Sequence, residues 1–196
     1  MAEAQRGSAG ERERRGVRIA ILTVSDSADR GEREDLSGTA LADGLDERGH
    51  TIVERAKVPD ESQQIQSRLR AWCDGPEAPD LVVTTGGTGL GPRDVTPEAT
   101  LQVLERVLPG IPEALRALGA RSTVASYLSR GVAGVRGHSL IVNVAGSPDA
   151  ARDAVPFLAE VAPHALHILR GGGHRVEEGA RARKPGGESA GRPGDS

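Results

Sequence analysis

Cysteine, aromatic residues and long apolar runs are scarce in this chain. Its 196 residues include one cysteine, one tryptophan, one tyrosine and one phenylalanine. The lone Cys73 excludes an internal disulfide, and no apolar stretch is typical of a signal peptide or a membrane span. We therefore expect a cytoplasmic protein without a membrane partner, whose core is built from valine, leucine, isoleucine and alanine.

A basic surface is not expected either. The formal net charge is −3, and the two ends of the chain hold more basic than acidic residues, so the part between them is more acidic still. A nucleic-acid-binding domain usually clusters lysine and arginine on one face, often beside aromatic residues that stack on bases. The composition therefore predicts no nucleic-acid partner.

Composition divides the chain into one domain and two polar ends. Residues 1–16 and 171–196 are rich in glycine and charged residues and hold few apolar ones. Such segments bury too little surface to offset the entropy of ordering. The length predicts a single domain. We expect that domain at residues 17–170, with a disordered tail on either side.

Strand-like and helical segments alternate through the first half of this domain. Apolar, β-branched runs predict strands at 17–24, 51–58 and 81–85. A helix capped by Asp35 or Ser37 follows the first strand, and a helix that opens at Pro59-Asp60 follows the second. This alternation predicts an α/β fold, a three-layer α/β/α sandwich with a mostly parallel central sheet.

The second half is predicted to contain more helix. Thr96-Pro97-Glu98 is typical of a helix start, and the helix it opens is expected to bury leucines 101, 104 and 108. A short helix is predicted at 109–120, and a hairpin, or a strand after an extended piece, at 132–144. The last helix runs to residue 170 and is expected to be interrupted or kinked at its two prolines, 156 and 163.

The glycine-rich segment that follows the third strand is the most informative motif. Residues 83–96 read VTTGGTGLGPRDVT, with four glycines in six positions. Glycines let the main chain approach a ligand closely, and successive exposed N–H groups can hold a phosphate. Pro92 and Arg93 after Gly91 exclude a Walker loop, and Pro92 also stands where a dinucleotide fingerprint needs its third glycine. The alternatives are a phosphate or nucleotide site and a tight surface turn.

Polar residues follow four predicted strands. They are Ser25-Asp26, Asp60, the glycine loop with Asp94, and the turn at 143–148. Ligands of open α/β sheets bind beyond the carboxyl ends of the strands, so these residues are expected to meet in one crevice. Taken singly, Asp60 and Ser147 could each be a helix cap.

The motifs resemble those of a known family. Residues 84–99, TTGGTGLGPRDVTPEA, are similar to the signature of the molybdopterin adenylyltransferase (Mog/MoaB) family, which includes the G-domain of gephyrin. Leu128-Ser129-Arg130 and residues 143–148, NVAGSP, also resemble family motifs, with Ala145 in place of the usual proline. The resemblance covers about residues 17–171 and implies the molybdopterin-binding fold.

The resemblance implies a reaction and a site. The reaction is Mg-ATP-dependent adenylylation of molybdopterin, giving adenylylated molybdopterin and pyrophosphate. Asp60 and Asp94 would serve the transfer and hold Mg²⁺, a cation that prefers oxygen ligands. The residues expected to bind nucleotide or molybdopterin are Ser25, Asp26, Thr85, Gly86, Gly87, Thr88, Gly89, Arg93, Ser129, Asn143, Gly146, Ser147 and Pro148. Asp35 and Ser37 could be either helix caps or ligand contacts.

The resemblance also suggests a homotrimer and a molybdate-inserting enzyme as partner. Two alternatives remain: a non-catalytic molybdopterin- or nucleotide-binding protein of the same fold, and a scaffold domain like that of gephyrin. The presence of both Asp60 and Asp94 favours the enzyme. Beyond residue 170 the composition predicts no second domain, which disfavours the scaffold.

The histidines and the cysteine are not expected to take part. His164 and His167 share a helix face, but no third residue with suitable spacing completes a metal site. Histidines 50, 138 and 174 are expected to face solvent. Cys73 is expected to be a packed thiol.

Overall fold

The structure, a computed structural model, describes residues 16–172. Nearly all of the two expected tails lies outside the described residues. Six strands are present: β1 (Arg18–Val24), β2 (Thr51–Val58), β3 (Leu81–Thr85), β4 (Arg106–Val107), β5 (Ala133–Arg136) and β6 (Ser139–Val144). The α-helices are α1 (Asp26–Asp29), α2 (Leu36–Asp46), α3 (Ser62–Cys73), α4 (Thr96–Leu101), α5 (Gly110–Gly119) and α6 (Pro148–Leu169). A 3₁₀ helix spans Val124–Leu128.

The strands form one sheet in the order β2-β1-β3-β6-β5-β4. The first four strands of that order are parallel, whereas β5 and β4 run antiparallel to their neighbours. The prediction of a mostly parallel sheet is confirmed. The chain moves from β1 outward to β2 and then returns to the other side of β1 as β3. The order of the strands therefore reverses at β1, and ligands of open α/β sheets bind at such a point.

Apolar side chains cover both faces of the sheet. On β1, Ile19 and Ile21 pack with α2 and α6, while Ala20, Leu22 and Val24 pack with α3. Successive residues of a strand point to opposite faces, so an unbroken apolar run serves two helical layers at once. The predicted three-layer sandwich is confirmed.

The edge strand β2 is different. Seven of its eight residues are partly or fully exposed, and the register with β1 shifts at Ile19/Ala20, where Val53 is passed over in the pairing. A bulge of this kind twists a strand locally.

The helix that begins at Thr96 is shorter than predicted. It ends at Leu101, whose side chain is 44% exposed, and the buried position is taken by Val103. The chain then turns into β4, where the N–H groups of Glu105 and Leu108 donate to β5 carbonyls. These tertiary hydrogen bonds override the leucine spacing, which by itself favours a longer helix.

Other predictions in the second half have mixed outcomes. The hairpin is confirmed as β5 and β6. The last helix is not interrupted, because α6 is continuous through Pro156 and Pro163. Neither α1 nor the 3₁₀ helix is predicted by the sequence pattern, since each is only four or five residues long. Within residues 16–172 no helix combines the length and the apolar character needed to cross a membrane.

His50 does not face solvent as expected. Its ring is buried, and its Nδ1 atom accepts a hydrogen bond from the Val17 amide at 3.2 Å, which joins the end of α2 to the start of β1. Burial lowers the pKa of His50, although a hydrogen bond to the backbone of Ala159 partly opposes this. The neutral ring is therefore the form that the fold stabilises. Cys73 is buried as predicted, and burial raises its pKa to about 11.

His50 should make stability depend on pH. Because its pKa is lower in the folded protein than in the unfolded chain, its contribution is complete above about pH 6.5 and is lost as the pH falls through the folded pKa. Thermal melts between pH 7.5 and 5 should show this loss. A His50→Asn variant keeps an acceptor but cannot titrate, so its melting temperature should depend less on pH. Equal slopes in the wild type and in His50→Asn would contradict the prediction.

Candidate functional site

A cleft of about 210 Å³ lies at the carboxyl ends of the parallel strands. It opens where the strand order reverses, between the ends of β1 and β3, so the predicted location of the crevice is confirmed. Seven of the predicted site residues line it: Ser25, Asp60, Gly86, Gly87, Asp94, Gly146 and Pro148. Residues from five separate segments of the chain therefore meet at one edge of the sheet.

The floor of the cleft is backbone packed against backbone. Gly86 has a φ of 99°, and a Cβ atom on it would lie 2.2 Å from the carbonyl oxygen of Val24. A Cβ atom on Gly146 would lie 2.9 Å from the Cα of Gly86. No other residue fits either position without moving a strand end. The glycines therefore set how closely the ends of β1, β3 and β6 approach.

The loop after Gly86 has free N–H groups. The Gly86 amide itself donates to the Val144 carbonyl at 3.2 Å, so it is not available to a ligand. The amides of Gly87, Thr88 and Gly89 donate to no group within residues 16–172. Gly86 and Gly87 both have positive φ, and amides at such turns form concave anion sites.

Asp60 is held by a reciprocal pair of hydrogen bonds with Asp26. The Asp26 amide donates to Asp60 Oδ2 at 2.9 Å, and the Asp60 amide donates to Asp26 Oδ1 at 3.1 Å. The cap of α3 is Glu61, without a side-chain hydrogen bond, so Asp60 is not the helix cap that its position allowed. Its Oδ1 atom accepts no hydrogen bond from the described part of the chain and lies toward Gly87.

Asp94 closes the glycine loop from the other side. Its Oδ2 atom accepts from the Gly91 amide at 2.7 Å.

Burial raises the pKa of Asp60, and the charges of Asp26 and Asp94 add to this effect, whereas the hydrogen bond from the Asp26 amide and the charge of Arg93 oppose it. Two carboxylates that repel each other in a cleft favour a bound cation.

The carboxylates of the cleft are too few to cage Mg²⁺ by themselves, and would suit an ion that keeps waters and substrate phosphates among its ligands. Within residues 16–172 no group of three or more histidine, cysteine, aspartate or glutamate side chains could hold a metal. Mg²⁺ often takes one or two carboxylates and completes its shell with waters and substrate phosphates. Asp60 and Asp94 both line the cleft and would supply those two carboxylates. Glu34 and Asp35 also line the cleft, together with Arg33, so carboxylates outnumber basic groups and a bound cation would favour a triphosphate.

Arg93 joins the glycine loop to the segments that carry Asp26 and Glu61. Its guanidinium contacts both carboxylate oxygens of Asp26, at 2.9 and 3.0 Å, and Glu61 at 2.9 Å. The hydrogen bond from Arg93 holds the pKa of Asp26 below its usual range. Arg93 is therefore occupied by protein carboxylates, and its predicted contact with a ligand would require it to leave them.

Two helices begin at the cleft. Asp35 caps α2 by accepting from the Gly38 amide at 2.8 Å, and Ser147 caps α6 by accepting from the Ala150 amide at 3.1 Å. Asp35 and Ser37 also line the cleft, so the two alternatives for this segment are compatible. The partial positive charge at a helix N-terminus favours an anion nearby.

Most of the folded part of the chain is similar to known proteins. Residues 20–164 match the family model of the probable molybdopterin binding domain. The chain belongs to this family. It is 38% identical over 164 residues to the molybdopterin adenylyltransferase of Helicobacter pylori J99, covering 83% of this chain and 93% of that protein. The resemblance found in the sequence motifs is confirmed.

Other relatives agree with this assignment. The chain is 41% identical over 139 residues to molybdenum cofactor biosynthesis protein B of Escherichia coli K12, covering 70% of this chain and 80% of that protein. The crystal structure of the MoaB protein from Thermus thermophilus shares 47% identity with a TM-score of 0.73, covering 79% of this chain and 97% of that one. The chain spans only 26% and 50% of two longer curated relatives, one from Drosophila melanogaster and one from Chlorobaculum tepidum.

Several of the predicted binding residues do not line the cleft and contact the protein instead, although Asn143 and Ser129 also line a second, smaller pocket of about 40 Å³. Asn143 is buried, and its amide group donates to Thr84 and Thr100 and accepts from the Val132 amide. The Thr85 hydroxyl donates to the Ala145 carbonyl at 3.1 Å, and Ser129 contacts Thr88 at 3.3 Å. In this family member these side chains position the strand ends and the glycine loop. Direct contact with a ligand stays a prediction.

Arg130 is the main contact that motif reasoning does not select. Its side chain donates to the carbonyls of Gly89 at 2.7 Å and Asp94 at 2.6 Å, and it pairs with Glu98. Its own amide donates to the Thr88 carbonyl at 2.9 Å. The signal is present in the Leu128-Ser129-Arg130 motif, from which only Ser129 is predicted as a site residue. Arg130 fixes the shape of the glycine loop from below.

Gly87 offers a test of the loop. It has a φ of 61°, and a Cβ atom there would meet Thr96 Oγ1 at 2.4 Å and Asp60 Oδ1 at 3.0 Å. Gly87→Ala should therefore lose Mg-ATP binding and also stability. Gly31 is the matched control, with a φ of 72° and open space around its Cβ position.

Gly31→Ala should cost only the left-handed backbone strain of about 1–2 kcal/mol. Gly87→Ala should cost at least about 1 kcal/mol more, since it also overpacks the site. Denaturant melts measure the difference in stability between the two variants. Calorimetric titration with Mg-ATP measures whether each variant still binds the nucleotide. Equal stability losses, with nucleotide affinity kept in Gly87→Ala, would contradict the role of the loop.

Proposed function

We propose that this protein is a molybdopterin adenylyltransferase acting in molybdenum cofactor biosynthesis. It would transfer the adenylyl group of ATP to the terminal phosphate of molybdopterin and release pyrophosphate. The homologous adenylyltransferases support the reaction class. The observation that carries the proposal is the cleft itself, in which two unshared carboxylate oxygens face a loop with three free amides.

The reaction needs alignment more than acid–base chemistry. An oxygen of the molybdopterin phosphate forms a bond to the α-phosphorus of ATP, and the bond from that phosphorus to the bridging oxygen of pyrophosphate breaks. The attacking oxygen is already an anion, so no general base has to remove a proton. This agrees with the cleft, whose lining residues include no histidine or lysine. Catalysis then rests on positioning and on stabilising charge.

Each part of the cleft has a role in this proposal. The amides of Gly87, Thr88 and Gly89 bind phosphate oxygens of the nucleotide. Asp60 and Asp94 would hold Mg²⁺, which when bound would offset the negative charge of the triphosphate and of the departing pyrophosphate. The N-termini of α2 and α6 attract the two anionic substrates to the same edge of the sheet.

A second candidate function is binding without turnover. Relatives such as protein B of Escherichia coli are named for the pathway alone, and the fold of a carrier would be the same. The enzyme is favoured because Asp60 and Asp94 both lie in the cleft, where their negative charges repel each other. A carrier of anionic ligands gains nothing from that repulsion.

The remaining proposals concern assembly and context. We propose a homotrimer in the cytoplasm that passes its product to a molybdate-inserting enzyme. Exposed apolar side chains at Val124, Tyr127 and Leu128 offer a surface for self-association. The existence of longer bifunctional relatives supports a linked second activity. Sedimentation analysis of the purified chain tests the trimer.

Release of pyrophosphate tests the activity. The purified protein is given ATP and Mg²⁺, with and without molybdopterin, and pyrophosphate is measured with a coupled assay. Release that requires both molybdopterin and Mg²⁺ supports the enzyme. Tight binding of molybdopterin without any release of pyrophosphate would identify a carrier instead.

Asp60→Asn should lower activity and raise stability at pH 7. We expect pyrophosphate release to fall roughly 100-fold or more, the scale on which loss of one transition-state contact acts. The pKa of Asp60 is raised in the folded protein, so its ionisation at pH 7 opposes folding. The variant should therefore melt at a higher temperature than the wild type at pH 7, and the gain should vanish as the pH falls through the pKa of Asp60.

The exposed Asp29 of α1 is the control for removing one charge. Asp29→Asn should keep both the activity and the melting temperature of the wild type. An Asp60→Asn protein that turns over normally would remove Asp60 from the mechanism. If the melting temperature of Asp60→Asn, relative to that of the wild type, is lower at pH 7 than at pH 4, the argument that ionised Asp60 opposes folding is contradicted.

A further inference from the structure

Thr96 carries a buried hydroxyl without a partner. Within residues 16–172 only two buried side-chain polar atoms lack a hydrogen bond, Thr96 Oγ1 and Trp72 Nε1. Trp72 lies on the α3 side of the sheet with the guanidinium of Arg68 over its ring. Thr96 is fully buried at the first position of α4. Buried hydroxyls almost always make a hydrogen bond, so the unsatisfied Thr96 needs an explanation.

The position of Thr96 is fixed by the glycine loop. Its amide donates to the Gly87 carbonyl at 3.0 Å, which places the side chain against the α-carbon of Gly87. The point where Gly87 lacks a Cβ atom is 2.4 Å from Thr96 Oγ1 and 3.0 Å from Asp60 Oδ1. The hydroxyl oxygen and the carboxylate oxygen therefore both lie close to the Cβ position that Gly87 leaves empty.

The two groups are complementary. Thr96 has a hydroxyl proton with no acceptor, and Asp60 Oδ1 has lone pairs with no donor within the described residues. The other oxygen of Asp60 is already fixed by the Asp26 amide. A hydrogen bond to Oδ1 would fix the remaining freedom of the carboxylate, which is its rotation about the Cβ–Cγ bond. Because Gly87 has no side chain, no Cβ atom of that residue separates the Thr96 hydroxyl from Asp60 Oδ1.

The two groups are not hydrogen-bonded to each other in this structure. We infer that Thr96 is a positioning residue for Asp60: its hydroxyl is placed to donate to Asp60 Oδ1 when a cation binds, and so to orient that oxygen toward the cation. The inference deepens the proposed function and rests on it. Groups that orient a metal ligand typically change metal affinity 10–100-fold when they are removed.

Thr96→Val and Thr96→Ser form the decisive pair. Valine keeps the shape and removes the hydroxyl, while serine keeps the hydroxyl. Calorimetric titration of Mn²⁺ in the presence of a non-hydrolysable ATP analogue should show about 10-fold or greater weakening in Thr96→Val. Thr96→Ser should bind within about threefold of the wild type. Pyrophosphate release should follow the same order.

Thr100 is the matched control on the same helix. Its hydroxyl accepts from Asn143 at 3.0 Å, so Thr100→Val leaves a buried donor unsatisfied and should lower the melting temperature. Thr96→Val removes an unsatisfied group and should melt at or above the wild-type temperature in metal-free buffer. Thr100→Val should bind the cation as the wild type does.

The outcomes separate this inference from the proposed function. Wild-type cation binding without pyrophosphate release would refute the transferase and still allow Thr96 to be judged from the titrations. Equal cation affinity in Thr96→Val and the wild type would overturn the inference even if the transferase is correct. A lower melting temperature in Thr96→Val that serine restores, with no change in cation affinity, would assign Thr96 a purely structural role. Absence of cation binding by the wild type would overturn both.

Discussion

The approach of Gly86 to the ends of the neighbouring strands is the constraint on which the site depends. Its α-carbon packs against the Val24 carbonyl on one side and Gly146 on the other, at distances that leave no room for a side chain. Three strand ends are thereby held within one backbone layer. The free amides after Gly86 and the helix that starts beyond Gly146 take their positions from that contact.

The fold could be predicted from the sequence where the pattern is local and repeated. The buried run of β1 and the alternation of strand and helix were sufficient for the parallel sheet and for the edge at which the site lies. Prediction failed where distant contacts decide the structure. Leucine spacing extended α4 past Leu101, but pairing with β5 converts the following residues into β4. His50 follows a turn and is expected to be exposed, yet the start of β1 covers it.

For the site too, local motifs could be read from the sequence, whereas contacts between distant residues could not. The motif predicts that the glycine loop and the two carboxylates belong to a site, because those residue types have few other reasons to occur together. The motif could not distinguish residues that face the cleft from residues that support it. Asn143 satisfies its hydrogen bonds inside the protein, whereas Arg130, which the motif did not single out, holds the loop through two carbonyls. The structure shows these contacts within the protein, which the motif by itself does not indicate.

The two edges of the sheet limit how copies of this chain can meet. β4 offers only two residues for pairing, and β2 presents a bulge together with exposed charged residues at Glu54, Arg55 and Lys57. Short, bulged or charged edge strands resist the addition of another strand. Growth of the sheet from one molecule into the next is therefore disfavoured, which protects a fold rich in valine and isoleucine from aggregating at its edges. Association is left to the helices and loops.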